Sequence, residues 1–99
     1  MNGLKLNEAQ NLLIERDQKR LRLVVYKNGD EEVCRKEYLR NINRFLLTEN
    51  NRLFKGRLQL NKIADRIDVV VKGKTAGSIY ADVFSDYLRT INTNSSAAV

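Results

Sequence analysis

The residues best suited to phosphate chemistry are Gly73-Lys74-Thr75, which match the closing triplet of a phosphate-binding loop of the form GxxxxGK[ST]. In such a loop, backbone amides cradle the phosphates while the lysine reaches them. Here the opening glycine is replaced by Asp68, whose carboxylate would repel phosphate. The intervening Val69-Val70-Val71 has the β-branched composition of a strand. The helix that should begin at the threonine is delayed by Ala76-Gly77-Ser78, so the triplet reads as a basic turn. Two carboxylate pairs, Glu31 with Glu32 and Asp65 with Asp68, could hold a divalent cation or share acid and base roles, but neither spacing is diagnostic. Both read as solvated surface groups. The chain has no histidine and one cysteine, Cys34. A thiolate therefore lacks an imidazole partner, a serine lacks its usual base, and zinc lacks its usual ligand set. The expectation is a non-enzyme with no catalytic residues, no metal and no cofactor, in which Cys34 is a small apolar core or sheet residue.

Charge is the more informative property. The formal net charge is +6 and the isoelectric point is near 9.7. The excess is uneven, because residues 35–74 hold eleven Lys and Arg against four Asp and Glu. Basic side chains on strands and turns neutralise phosphates and release counterions, which supplies most non-specific nucleic-acid affinity. The candidate phosphate contacts are Arg20, Arg22, Arg35, Lys55, Arg57, Lys72 and Lys74. Tyr26, ending a strand, and Tyr80, following the Gly77 turn, are the candidate stacking residues. Tyr38, Tyr87, Phe45 and Phe84 fall at helical spacing and read as core.

These side chains need elements to hold them. Asn7-Glu8-Ala9-Gln10 has the form of a capping box, and the stripe Leu6, Ala9, Leu12, Leu13 predicts a first helix at about 7–18. From Arg20 the period becomes two, with Leu21, Leu23 and Val25 on one side and Arg20, Arg22, Val24 and Tyr26 on the other, so a strand comes next. Asn28-Gly29 predicts a type I′ hairpin in which Lys27 faces Asp30, Val24 faces Val33 and Leu23 faces Cys34. Residues 31–35 then form the return strand, with a helix starting at Glu31 as the rival assignment. Tyr38, Leu39, Ile42, Phe45 and Leu46 predict a helix at about 36–47. Residues 52–60 can be extended with Phe54, Leu58 and Leu60 inward; 67–72 is a valine-rich strand and 78–80 leads into a last helix at about 81–91, with the face Val83, Phe84, Tyr87, Leu88, Ile91. The run from Glu37 to Asn43 echoes the run from Asp86 to Asn92, each after a valine-rich strand and a glycine turn, which suggests tandem ββα units.

The expected architecture is a single α+β domain over residues 1–92 with a frayed tail over 93–99. It has one antiparallel sheet of four or five strands with helices on one face, in the order α-ββ-α-ββ(β)-α. At 42% hydrophobic and 30% charged residues, the composition is that of a folding chain. No apolar run reaches the length of a membrane span, and residues 1–8 lack the apolar stretch of a secretory signal, so a cytoplasmic protein without membrane contact is expected. The expected function is a small basic nucleic-acid-binding module, for DNA or RNA. The alternative is a protein-interaction module (inhibitor, adaptor or assembly subunit) that meets an acidic protein surface, or a second copy as a homodimer, through a sheet edge or helix face.

Overall fold

Period-two alternation dominates the chain, and it builds two sheets where one was expected. The computed structural model describes the backbone of residues 3–97 and the side chains of residues 3–91. Strands β1 (Leu4–Lys5), β2 (Gln10–Asp17), β3 (Arg20–Lys27) and β4 (Asp30–Glu37) form one antiparallel meander, followed by helix α1 (Leu39–Leu47). The pattern then repeats with β5 (Asn50–Leu53), β6 (Leu58–Ile63), β7 (Arg66–Val71), β8 (Lys74–Tyr80) and α2 (Ala81–Ala97). Each half is thus ββββα, larger than the ββα unit suggested by the echo. The expected tail, 93–99, lies outside the residues whose side chains are described. Among the described residues no helix is long and apolar enough to cross a membrane.

The expected helix at 7–18 is a turn followed by β2. Asn7 Oδ1 does accept from the backbone N–H groups of Ala9 and Gln10, at 2.8 and 3.0 Å, as a capping side chain would. The segment beyond that turn is nonetheless paired to β3 over its whole length, from Gln10 opposite Lys27 to Asp17 opposite Arg20. Leu12 and Ile14 point into the core, whereas Leu13 lies on the other face. An apolar set at 6, 9, 12 and 13 fits a helix or a strand, and cross-strand pairing decided it.

The Asn28-Gly29 turn is present, with φ of +52° and +88° as a type I′ turn requires. Lys27 lies opposite Asp30 and Tyr26 opposite Glu31, but beyond them the register differs from the expected one: Val25 faces Val33 and Val24 faces Cys34. A bulge between Val25 and Tyr26 leaves Glu32 as the extra residue and moves the register by one. Sheet two has the matching bulge, between Val69 and Val70, with Ala76 extra. Residues 52–60 are split into β5 and β6 by Phe54 and Gly56, at φ +71° and +98°.

The inner faces of both sheets join one core. Leu12, Leu23 and Val25 from the first sheet, Leu58, Leu60, Ile67 and Val69 from the second, and Ile42, Phe45, Phe84 and Leu88 from the helices belong to it. Val83, expected on the buried face of the last helix, is 45% exposed. The halves are cross-laced. The loop after β1 lies against β8, where Asn7 Nδ2 donates to the Ala76 carbonyl (2.8 Å) and Leu6 crosses Gly77 with no room for a side chain. Reciprocally, the loop after β5 lies against β4, where Arg35 Nη1 donates to the Lys55 carbonyl (2.7 Å) and its guanidinium stacks 5.1 Å from the Phe54 ring centroid.

Candidate nucleic-acid interface

Strand alternation places Arg20, Arg22, Val24 and Tyr26 on the outer face of the first sheet, as the sequence predicts. That face carries its own counter-charges. Arg22 donates hydrogen bonds to Glu15 (2.8 Å) and to Glu31, and the bond to Glu31 holds the guanidinium firmly in its charged form. Lys36 pairs with Asp17 at 2.7 Å, and the resulting hydrogen bond holds the Asp17 carboxyl below the usual carboxylate range. Tyr26 is half-buried opposite Glu31. Cys34 is half-buried on this face too, opposite the fully buried Val24, which agrees with a sheet residue.

The seven candidate cations do not form one patch. Arg35, Lys55 and Arg57 gather at the seam of β4 and the loop after β5, beside a shallow cleft of about 280 Å³ that Glu31 and Cys34 also line. In that cluster Arg35 is occupied by its contacts to Lys55 and Phe54, whereas Lys55 and Arg57 are exposed. Lys72 and Lys74 flank the β7–β8 turn and meet Lys27 around a cleft of about 430 Å³, where Lys72 pairs with Glu32 at 3.6 Å. Gly73 is the second residue of that turn, with φ +83°, and Thr75 is a strand residue opposite Val70, so the triplet is a hairpin and not a phosphate loop. Arg20 stands apart from both clusters.

What the fold does bring together is an arginine and a tyrosine, twice. In the second half Arg66, the first residue after the β6–β7 turn, lies opposite Tyr80, the last residue before α2. Tyr80 is 57% exposed and is anchored by the Ala81 N–H donating to the Asp65 carbonyl at 2.7 Å. Ile63, opposite Arg66 on its other side, is equally exposed. In the first half Arg20, the first residue after the β2–β3 turn, lies 6.0 Å from the ring centroid of Tyr38, the residue before α1. Arg40 approaches the same ring at 4.9 Å. Tyr38 is 40% exposed and so is not the core residue its spacing suggests. Compared with family models, with curated proteins and with solved structures, the chain matches none.

Both strand-to-helix corners thus present an exposed tyrosine with an arginine at the cross-strand position, and at Tyr38 guanidinium groups also lie over the ring. The sequence echo hid this correspondence, because it matched Tyr38 with Tyr87. Tyr87 lies in the core region, with its hydroxyl accepting from the Ile14 N–H at 3.1 Å. The structural counterpart of Tyr38 is Tyr80, seven residues earlier, or about two helical turns. An amphipathic helix resembles itself at that shift. The usable signal was the position of each tyrosine directly before a helix and after a run of strand alternation.

The outer face of the second sheet differs from that of the first. Its cross-strand rows are Asn50, Ile63, Arg66, Tyr80 and then Arg52, Asn61, Asp68, Ser78. Among the described residues neither Arg52 nor Arg66 makes an ion pair, although the Asp68 carboxylate lies on the same face.

Proposed function

We propose that this protein is a non-enzymatic binder of single-stranded nucleic acid. The observation that carries the reading is the duplicated corner: Arg20 and Arg40 with Tyr38, and Arg66 with Tyr80. An exposed tyrosine ring supplies a face on which a base stacks, and an adjacent guanidinium supplies a phosphate contact or a second stacking plane. Stacking requires a base that is not already paired and stacked in a duplex, which favours single strands. The cations at Lys55 and Arg57 and at Lys27, Lys72 and Lys74 would add sequence-independent phosphate contacts along the backbone. The net charge of +6 favours a polyanionic partner, and a lone thiol suits a reducing, cytoplasmic setting.

Fluorescence anisotropy with a labelled single strand and its duplex, at several salt concentrations, tests this. Single strands should bind more tightly, with a log-log salt slope of about 0.7 per phosphate contacted. Tyr38→Ala and Tyr80→Ala should each weaken binding about 5- to 150-fold, the equivalent of one stacked base. No binding of a single strand at low salt refutes the proposal. The competing reading, a protein-interaction module, has one observation in its favour: Leu47 at the end of α1 stands 86% exposed. Sizing that shows self-association lost in Leu47→Glu, with no nucleic-acid affinity, would favour it.

A further inference from the structure

The outer face of the second sheet carries one carboxylate, Asp68, and its setting is unlike that of the acids on the first sheet. Glu15, Glu31 and Asp17 are each bound to a cation, Arg22 or Lys36. Among the described residues Asp68 makes no ion pair; its partner is the Ser78 hydroxyl, which donates to Oδ1 at 2.6 Å. That bond orients the carboxylate on the sheet and leaves Oδ2 and a lone pair of Oδ1 open. Asp68 lies on β7 two residues from Arg66, and Ser78 lies on β8 two residues from Tyr80, so this polar row runs about 7 Å from the stacking row on the same face.

A bare carboxylate repels phosphate and only accepts hydrogen bonds. On a face that stacks bases, it discriminates by which base edge offers donors. The exposed Watson–Crick edges of single-stranded bases differ sharply in this respect. Adenine and cytosine each present an amino group next to a ring-nitrogen acceptor, and thymine or uracil presents one N–H between two carbonyls. Guanine alone presents two adjacent donors, N1–H and the 2-amino group, which match the two oxygens of a carboxylate. Resting on the single-strand reading, we propose that Asp68, held by Ser78, is a specificity residue that selects guanine for the position at Tyr80.

The test uses the full chain and an oligothymidine strand carrying one central guanine, inosine, adenine or cytosine, read by fluorescence anisotropy. Guanine should bind roughly 5- to 100-fold more tightly than thymine at that position, as a good bidentate pair discriminates. Inosine, which lacks the 2-amino group, should lose much of that advantage with the wild-type protein. Asp68→Asn keeps an acceptor for Ser78 and should bring the ratio close to one, while oligothymidine binding stays equal or rises as a negative charge leaves. A wild-type protein that binds all four strands equally, an inosine strand as tight as guanine, or a guanine preference undiminished in Asp68→Asn overturns the assignment. Failure of the wild-type protein to bind any strand overturns instead the single-strand reading on which it rests.

Discussion

Gly77→Ala should destabilise the protein more than its chemistry suggests, because the methyl group has nowhere to go. A Cβ at Gly77 would collide with the Leu6 carbonyl oxygen and sit 2.9 Å from its carbonyl carbon and 3.0 Å from its Cα. These are backbone atoms, so relief requires the loop after β1 to lift away from β8. Overpacking of this kind costs about 1–3 kcal/mol. Lifting the loop also weakens the Asn7 to Ala76 hydrogen bond, about another 1 kcal/mol. The sum of about 2–4 kcal/mol corresponds to a fall in Tm of about 10–25 °C for a domain of this size. Thermal unfolding followed by circular dichroism reads it, with Gly73→Ala as the comparison. Gly73 has φ +83° and open space where a Cβ would stand, so that variant costs only left-handed strain, about 1–2 kcal/mol. Adding Asn7→Ala to Gly77→Ala should cost less than the separate effects summed, since both act on one contact. A Gly77→Ala Tm no lower than that of Gly73→Ala, or full additivity, would refute the cross-laced contact as a source of stability.

The other expectations are simpler. Phe84→Ala should cost about 3–5 kcal/mol, because its ring is fully buried, whereas Val83→Ala should change Tm little from a half-exposed site; equal effects would contradict the helix orientation. Gly29→Val should lower Tm by forcing a branched side chain to φ +88°, and an unchanged melt would count against the turn. The Asp17 carboxyl, held low chiefly by its hydrogen bond from Lys36, contributes stability above its ordinary pKa of 3.8 that is lost as pH falls through its lowered folded value. Lys36→Met should therefore flatten part of the acid limb of a Tm against pH curve, with only a small effect because the pair is at the surface. Tyr80→Ala should leave Tm nearly unchanged while weakening single-strand binding, and a large loss of stability would mean the ring is structural.

The hairpin from Arg20 through Asn28-Gly29 was legible because alternation and turn chemistry agree there, and the valine run 69–71 was legible by composition. The register beyond the turn was not, because nothing in Glu31-Glu32-Val33 marks Glu32 as an extra bulge residue. The unbroken strand expected over 52–60 followed from the even spacing of Phe54, Leu58 and Leu60. The backbone instead turns at φ +71°, and the inward residues change parity across the break, Leu53 on β5 and Leu58 and Leu60 on β6. Among site residues, Arg20 and Tyr80 are exposed, but Tyr80 ends β8 and does not follow a turn at Gly77, which lies within that strand. Arg22 and Arg35 are engaged by Glu15 and Glu31 and by Lys55 and Phe54, which depends on neighbours far apart in sequence. Tyr38 was hidden by its helical spacing from Ile42 and Phe45, although it caps the helix instead of lining it.

Through the reciprocal lacing, each half seats a loop of the other. Each ββββα unit places its first loop on the last strand of the other, so a severed half would expose the core face of its sheet and a loop without a seat. Two identical units could satisfy each other around a two-fold axis, which is how an unduplicated ancestor of such a chain would exist as an obligate dimer. The present chain would then be that dimer made covalent, free to let its two outer faces diverge in charge. Severing it between Thr48 and Glu49 should yield fragments that fold only when mixed, and a first fragment that folds alone as a monomer would contradict this descent.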